Sequence, residues 1–173
     1  MSAPDTQSAV KMITLRTADD QLFDVDETVA MEFATVKSFF DEKSDATVDA
    51  VVPLPNVAAD QLVKIIGYCK KHIDYKAKGL AEEAKKYDAD FVNEQSNESL
   101  KELILAANYL NIKDLLDVLD QNVADRIQNK SVEYVRKFFG IENDFTQEEE
   151  ERIRNDNAWA FEGVDPDDED DMH

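Results

Sequence analysis

The chain has little of what enzymes, secreted proteins and nucleic-acid binders are usually built from. One of its 173 residues is cysteine, Cys69, so no disulfide can close within it and no Cys/His zinc set can be drawn from it. Only His72 and His173 are histidine, and there are four glycines, none in a phosphate-cradling loop or a calcium-binding turn. Neither a nucleophile–base pair nor a cofactor or metal site can be assembled from this inventory. No run approaches the ~20 apolar residues that cross a bilayer, and the polar start at residues 1–5 has no apolar leader core. Positive charge is scarce as well. Nineteen Lys and Arg against 39 Asp and Glu leave a formal charge of −20, which repels phosphate backbones and anionic lipid head groups. These absences lead to the expectation of a non-catalytic protein that stays inside the cell and whose ligands are other proteins, with no nucleic acid, membrane or small-molecule substrate.

What is present suits a folded core, with 43% hydrophobic residues in a chain of single-domain length. Residues 12–15 and 22–25 alternate apolar and polar around a turn at Ala18, Asp19 and Asp20, a hairpin pattern. Asp26 caps a short helix through Met31, Thr35 opens another through Phe40, and residues 51–54 form a third strand limited by Pro53. Asn56 is placed to cap a longer helix whose buried face is Leu62, Ile65, Ile66 and Cys69, and Cys69 there reads as a buried, inert thiol. Residues 41–50 and 74–99 show no sustained core pattern and read as loops, the second as a flexible insertion despite the helix propensity of residues 80–86. From Leu100 the helical period is continuous: Leu100, Leu103, Ile104 and Ala107, then Ile112, Leu115, Leu116 and Leu119, then Val123 and Ile127. Asn111 can take the left-handed position that ends one of these helices before Lys113 opens the next. The order of elements is α+β, a small three-stranded sheet with helices.

The last third carries the most specific pattern. Gly140 follows the helical residues Val132, Val135, Phe138 and Phe139 and suits a left-handed stop. Asn143 and Asp144 make a turn, Thr146 is an N-cap, and Glu149 stands where a capping-box carboxylate reaches back. Glutamates 148–151 favour the first turn of that helix, Arg152 and Arg154 follow, and the sole tryptophan, Trp159, comes soon after. Leu116, Val123, Ile127, Phe139, Ile141, Phe145 and Trp159 place apolar mass on successive helical segments with little sequence left to cover it, which marks a recognition surface.

The run at residues 100–117, Asn143 to Thr146 with its glutamates, and the Trp159, Ala160, Phe161, Glu162 ending together resemble the Skp adaptor family of SCF ubiquitin ligases. The likeness in order extends from about Val10 to Glu162, includes residues 52–57, and is closer in its ending to plant than to animal members. It departs from the family at Leu119 and Asp120, at Val132 and at Tyr87. The resemblance implies a BTB/POZ-type domain over residues 10–128 with the flexible insertion at about 74–99, C-terminal F-box-binding helices over 129–162, and a disordered acidic tail over 163–173. It also implies an adaptor that bridges a cullin to F-box substrate receptors for ubiquitination and degradation. By the same resemblance Asn108 and Tyr109 face the cullin. Leu116, Val123, Ile127, Phe139, Ile141, Phe145 and Trp159 face the F-box, within a region from about Ile104 to Glu162. Two alternatives stay open: another BTB-type scaffold like elongin C, which would stop near Ile112 to Leu119, and an acidic chaperone for basic proteins.

Overall fold

The computed structural model describes residues 10–42 and 50–167. Strands β1 (Met12–Thr17) and β2 (Leu22–Asp26) lead into the short helix α1 (Glu27–Ala30) and then α2 (Ala34–Glu42). Strand β3 (Val51–Leu54) is followed by α3 (Ala59–Lys78), α4 (Ala81–Asn93), α5 (Asn97–Leu110) and α6 (Lys113–Ile127). Helices α7 (Val132–Phe139) and α8 (Gln147–Asp156) and a 3-10 turn at Ala158–Phe161 complete the order. The α+β class and the three-stranded sheet are as the sequence predicts.

In the sheet, ordered β2-β1-β3, β1 pairs antiparallel with β2 and parallel with β3, so Leu15 lies opposite both Phe23 and Val52. Its period of two turns Ile13, Leu15, Val25, Val52 and Leu54 inward, where none is more than 2% exposed. Pro53 falls on an outer strand, where its missing N–H costs the ladder nothing. Leu62 and Ile65 of α3, Leu100, Leu103, Ala107 and Leu110 of α5, and Leu115 and Leu119 of α6 complete the buried set. Asn111, at φ 53°, makes the left-handed stop between α5 and α6. Cys69 is buried as expected, and desolvation, followed by the Glu32 carboxylate, pushes its thiol up to about 12.

Three expectations are revised. Helix α3 starts at Ala59, not after Asn56, and its opening N–H is capped from a distance: the Asp19 carboxylate in the β1–β2 turn accepts the Ala59 N–H at 2.9 Å. Residues 74–99 are not a flexible insertion. Helix α3 runs on to Lys78, Gly79 at φ 67° ends it, and α4 returns along it. The two arms are zipped by rings. Tyr68 stacks on His72 at 4.3 Å, Phe91 lies 5.1 Å from Tyr68, and Tyr87 lies 6.0 Å from Tyr75. The His72 Nε2 meets the Asp88 carboxylate at 2.6 Å, and Phe91 and Val92 are buried. These aromatics supply the core that the surrounding charges concealed. Burial, and then the Asp88 charge, also hold the Tyr68 phenol well above its ordinary pKa. The acidic tail is tied at its start: the Asp165 N–H donates to the Asn129 carbonyl at 2.8 Å, and the Ser131 hydroxyl donates to Asp167. The rest of the tail expectation, at residues 168–173, and most of the loop expected at 41–50, namely 43–49, lie outside the described residues.

The chain divides into two compact units, and the division falls inside α6, after Asp120, rather than at residue 128. One position in the first unit is open to improvement. Gly67 sits in the interior of α3, exposed, and a Cβ built there meets nothing within 4 Å. Gly67→Ala is expected to raise the unfolding free energy by roughly 0.5–1 kcal/mol by removing backbone entropy from the unfolded chain. The expected readout is a higher urea midpoint with an unchanged slope; an unchanged or lower midpoint would show that alanine is not tolerated there.

Candidate functional site

In the first unit, helix α5 turns Leu100, Leu103, Ala106, Ala107 and Leu110 into the core, which leaves Glu98, Glu102, Leu105 and Asn108 exposed on its other side. Asn108 is therefore free to meet a partner, and Tyr109 beside it is half-buried. The Thr35 hydroxyl donates to the Tyr109 carbonyl, which fixes the last turn of α5 against α2. Leu105, at 69% exposed, lies one turn before Asn108 on the same side. Sequence reading passed over it. The available signal was an apolar residue out of phase with the buried stripe.

The second unit is built with little apolar filling. Ser131 caps α7 by accepting the Tyr134 N–H, and Tyr134 and Phe138 turn inward with rings 6.4 Å apart. Lys130 lies 5.1 Å over the Tyr134 ring. Phe139 follows Phe138 round the helix and comes out into solvent. Gly140 then takes φ 65°, with the Ile141 N–H returning to the Arg136 carbonyl at 2.8 Å, so the chain turns sharply and Ile141 is also left exposed. An Asn143 side chain accepts the Phe145 N–H at 3.1 Å, and Thr146 with Glu149 forms the expected capping box of α8.

Helix α8 buries none of its residues. Charge holds it instead: the Arg136 guanidinium and the Asn143 amide both donate to Glu150 at 3.1 Å. Arg154 pairs with Glu133 and with Glu150, and its guanidinium lies 5.2 Å over the Phe161 ring. Glu150 is accordingly held below the ordinary glutamate range, first by the hydrogen bond from Arg136 and then by that from Asn143. Arg154 and Glu150 stand at i, i+4 spacing, but the pairing of Arg136 with Glu150, 14 residues apart, was not legible from spacing.

Of the seven apolar candidates, Phe139, Ile141, Phe145 and Trp159 are exposed in the second unit, Trp159 at 76%. Val123 and Ile127, on the part of α6 that belongs to this unit, are half-buried, and so is Leu116, which falls in the first unit. Four large apolar side chains open to water within residues 139–159 are what a docking surface looks like before its partner arrives.

Comparison with known proteins identifies the family. Residues 11–74 match the family model described as "Skp1 family, tetramerisation domain", and residues 113–160 match "Skp1 family, dimerisation domain". The chain belongs to the Skp1 family. It is 45% identical over 170 residues to "SKP1-like protein 20" of Oryza sativa subsp. japonica, covering 87% of this chain and 95% of that protein. It is 46% identical over 163 residues to "SKP1-like protein 1A" of Arabidopsis thaliana, covering 89% and 99%, and 49% identical over 154 residues to "SKP1-like protein 11" of the same plant, covering 88% and 98%. The sheet and its helices are thus a BTB/POZ-type domain, and the stretch from α6 through Ala160 is what matches the family's second model.

Two measurements test this construction. Because the Glu150 pKa is depressed, its pairing with Arg136 contributes fully above the ordinary glutamate pKa near 4.5 and is lost as pH falls through that value toward the lowered one. Protection factors in α8, taken relative to intrinsic exchange at each pH, should therefore fall below about pH 4.5 in the wild type, whereas Glu150→Gln should already show the weaker protection at neutral pH. Equal protection of both at pH 7 would mean that the pairing does not hold α8. Trp159, the only tryptophan, should show solvent-exposed emission and full access to acrylamide in the free protein, and Trp159→Ala should leave thermal stability unchanged; shielded emission would place its ring in a core.

Proposed function

We infer that this Skp1-family chain works as the adaptor subunit of an SCF-type E3 ubiquitin ligase in nucleus and cytoplasm, holding a cullin through its BTB/POZ-type part and an F-box substrate receptor through α6 to Phe161. It transfers no ubiquitin itself. The observation that carries the F-box side is the exposed set Phe139, Ile141, Phe145 and Trp159 around a helix, α8, that has no buried residue of its own. An amphipathic helical partner laid on that set would bury large apolar area while the Arg136–Glu150 network keeps the platform in place. Leu116, Val123 and Ile127 are half-buried, a position from which they shape α6 as well as touch a partner. On the cullin side the support is the exposed Asn108 with the half-covered Tyr109, a polar and an amphipathic group suited to a partly wet interface.

Neither alternative is favoured. A scaffold like elongin C has no use for α7 and α8, which continue well past α6. An acidic chaperone would hold basic proteins by charge alone, and its binding would collapse with salt, whereas apolar docking on Trp159 would not.

Titration of the whole chain against an F-box domain and against a cullin N-terminal domain separates the two faces. Trp159→Ala should weaken F-box binding by about 2 kcal/mol, roughly thirtyfold, with cullin binding unchanged. Joint replacement of Asn108 and Tyr109 by alanine should do the reverse, leaving F-box affinity within about threefold. Equal loss of both partners in either variant would assign the residue to the fold instead.

A further inference from the structure

Trp159 does not stand on a loose chain end. It sits in an arch whose two feet rest on the start of α7. At the first foot Arg154, in the last turn of α8, pairs with Glu133 in the first turn of α7, and its guanidinium lies over the Phe161 ring inside the arch. Asn157 closes α8 there, giving both its backbone N–H and its side-chain amide to the Ile153 carbonyl at 3.1 and 2.9 Å. At the second foot the Asp165 N–H donates to the Asn129 carbonyl at 2.8 Å. The Ser131 hydroxyl donates to the Asp167 carboxylate at 2.5 Å, the length of a charge-assisted O–H···O⁻ bond. That hydroxyl works in both directions, since its oxygen also accepts the Tyr134 N–H at 2.9 Å to cap α7. The two feet thus share one short stretch, Asn129, Ser131 and Glu133. Two left-handed residues shape the join: Asn129 at φ 57° in the stretch that receives the strap, and Gly163 at φ 73° in the strap itself. Phe161 and Val164 are half-buried beneath the arch, and Trp159 points out of it.

We propose that residues 162–167 are a strap that holds Trp159 in its docking pose before a partner arrives, with Gly163 and Asp167 as positioning residues for F-box binding. The proposal rests on the reading that Trp159 faces the F-box. A tryptophan on a free end would lose backbone and side-chain freedom on docking, and affinity would fall by that loss. In the closed arch the loss is taken during folding instead. Three observations support this role. The strap returns to the same stretch of α7 that holds the end of α8, so the segment between is fixed at both ends. Asp165, Pro166 and Asp167 are themselves exposed, so their hydrogen bonds fix the path of the chain without adding to a core. The segment held in this way carries the most exposed large apolar side chain among the described residues, Trp159.

The test compares the whole chain with Asp167→Ala, which removes the acceptor of the Ser131 bond and leaves the α7 cap intact, and with Gly163→Val. A Cβ at Gly163 meets nothing within 4 Å, so that variant acts only by disfavouring the left-handed turn. Asp170→Ala removes the same charge as Asp167→Ala and serves as the control. Two quantities are read: time-resolved fluorescence anisotropy of the sole tryptophan in the free chain, and affinity for an F-box domain. Asp167→Ala and Gly163→Val should each add a fast depolarising motion of Trp159, and should weaken F-box binding by about threefold and about fivefold. Asp170→Ala should match the wild type in both. Unchanged anisotropy in Asp167→Ala and Gly163→Val would show that the strap does not hold Trp159, and the proposal would be wrong. A freed Trp159 with equal or tighter F-box binding would also overturn it, as would an equal loss in Asp170→Ala, which would assign the effect to charge. In each of those cases a loss of F-box binding by Trp159→Ala keeps the F-box assignment. If Trp159→Ala binds as wild type, that assignment itself fails. Should Gly163→Val not fold, Asp167→Ala decides on the same two readouts.

Discussion

Leu100, Leu103, Ala107, Leu110, Leu115 and Leu119 are all fully shut away from water, and every surface assigned here to a partner depends on them. They fasten α5 and α6 by one side each, so the outward side of α5 is held rigidly enough to present Asn108 and Leu105, and α6 leaves the first unit as an intact helix that becomes the opening element of the second. A helix shared in this way needs no linker.

The second unit is made on different terms. Among the described residues, Tyr134 and Phe138 are its only members in the buried set, and its last regular helix is held by arginines and carboxylates at its flank. Isolated surface ion pairs contribute little, but here Arg136, Glu150, Arg154, Glu133 and Asn143 form one connected set, with the Arg136 and Glu150 side chains largely covered. Such a network fixes direction without consuming apolar residues. Phe139, Ile141, Phe145 and Trp159 are therefore left exposed rather than drawn into a core.

What could be foreseen from sequence was what local chemistry decides. The alternation of β1, the left-handed stops at Asn111 and Gly140, and the capping box at Thr146 and Glu149 each depend on residues within a few positions of one another, and each is present. Reading failed where partners are remote: Asp19 capping α3 from 40 residues away, and Tyr68 and His72 finding Tyr87, Phe91 and Asp88 to make a helix of what looked like a charged loop. The same holds at the surfaces. Trp159 and Phe139 stood out as large rings among charged neighbours, whereas Leu105 becomes visible only when the buried side of α5 is known.

The ring-zipped hairpin of α3 and α4 also sets a rule for change over evolutionary time. Its tip at Gly79 points along the arms and away from the sheet-forming residues in sequence, so turns can be gained or lost there without disturbing β1 to β3. Tyr75 must still meet Tyr87, and Tyr68 must still meet Phe91. Insertions at the tip lie beyond those pairings, so adding a whole turn to each arm, about seven residues in all, would lengthen the hairpin and leave the rings in register.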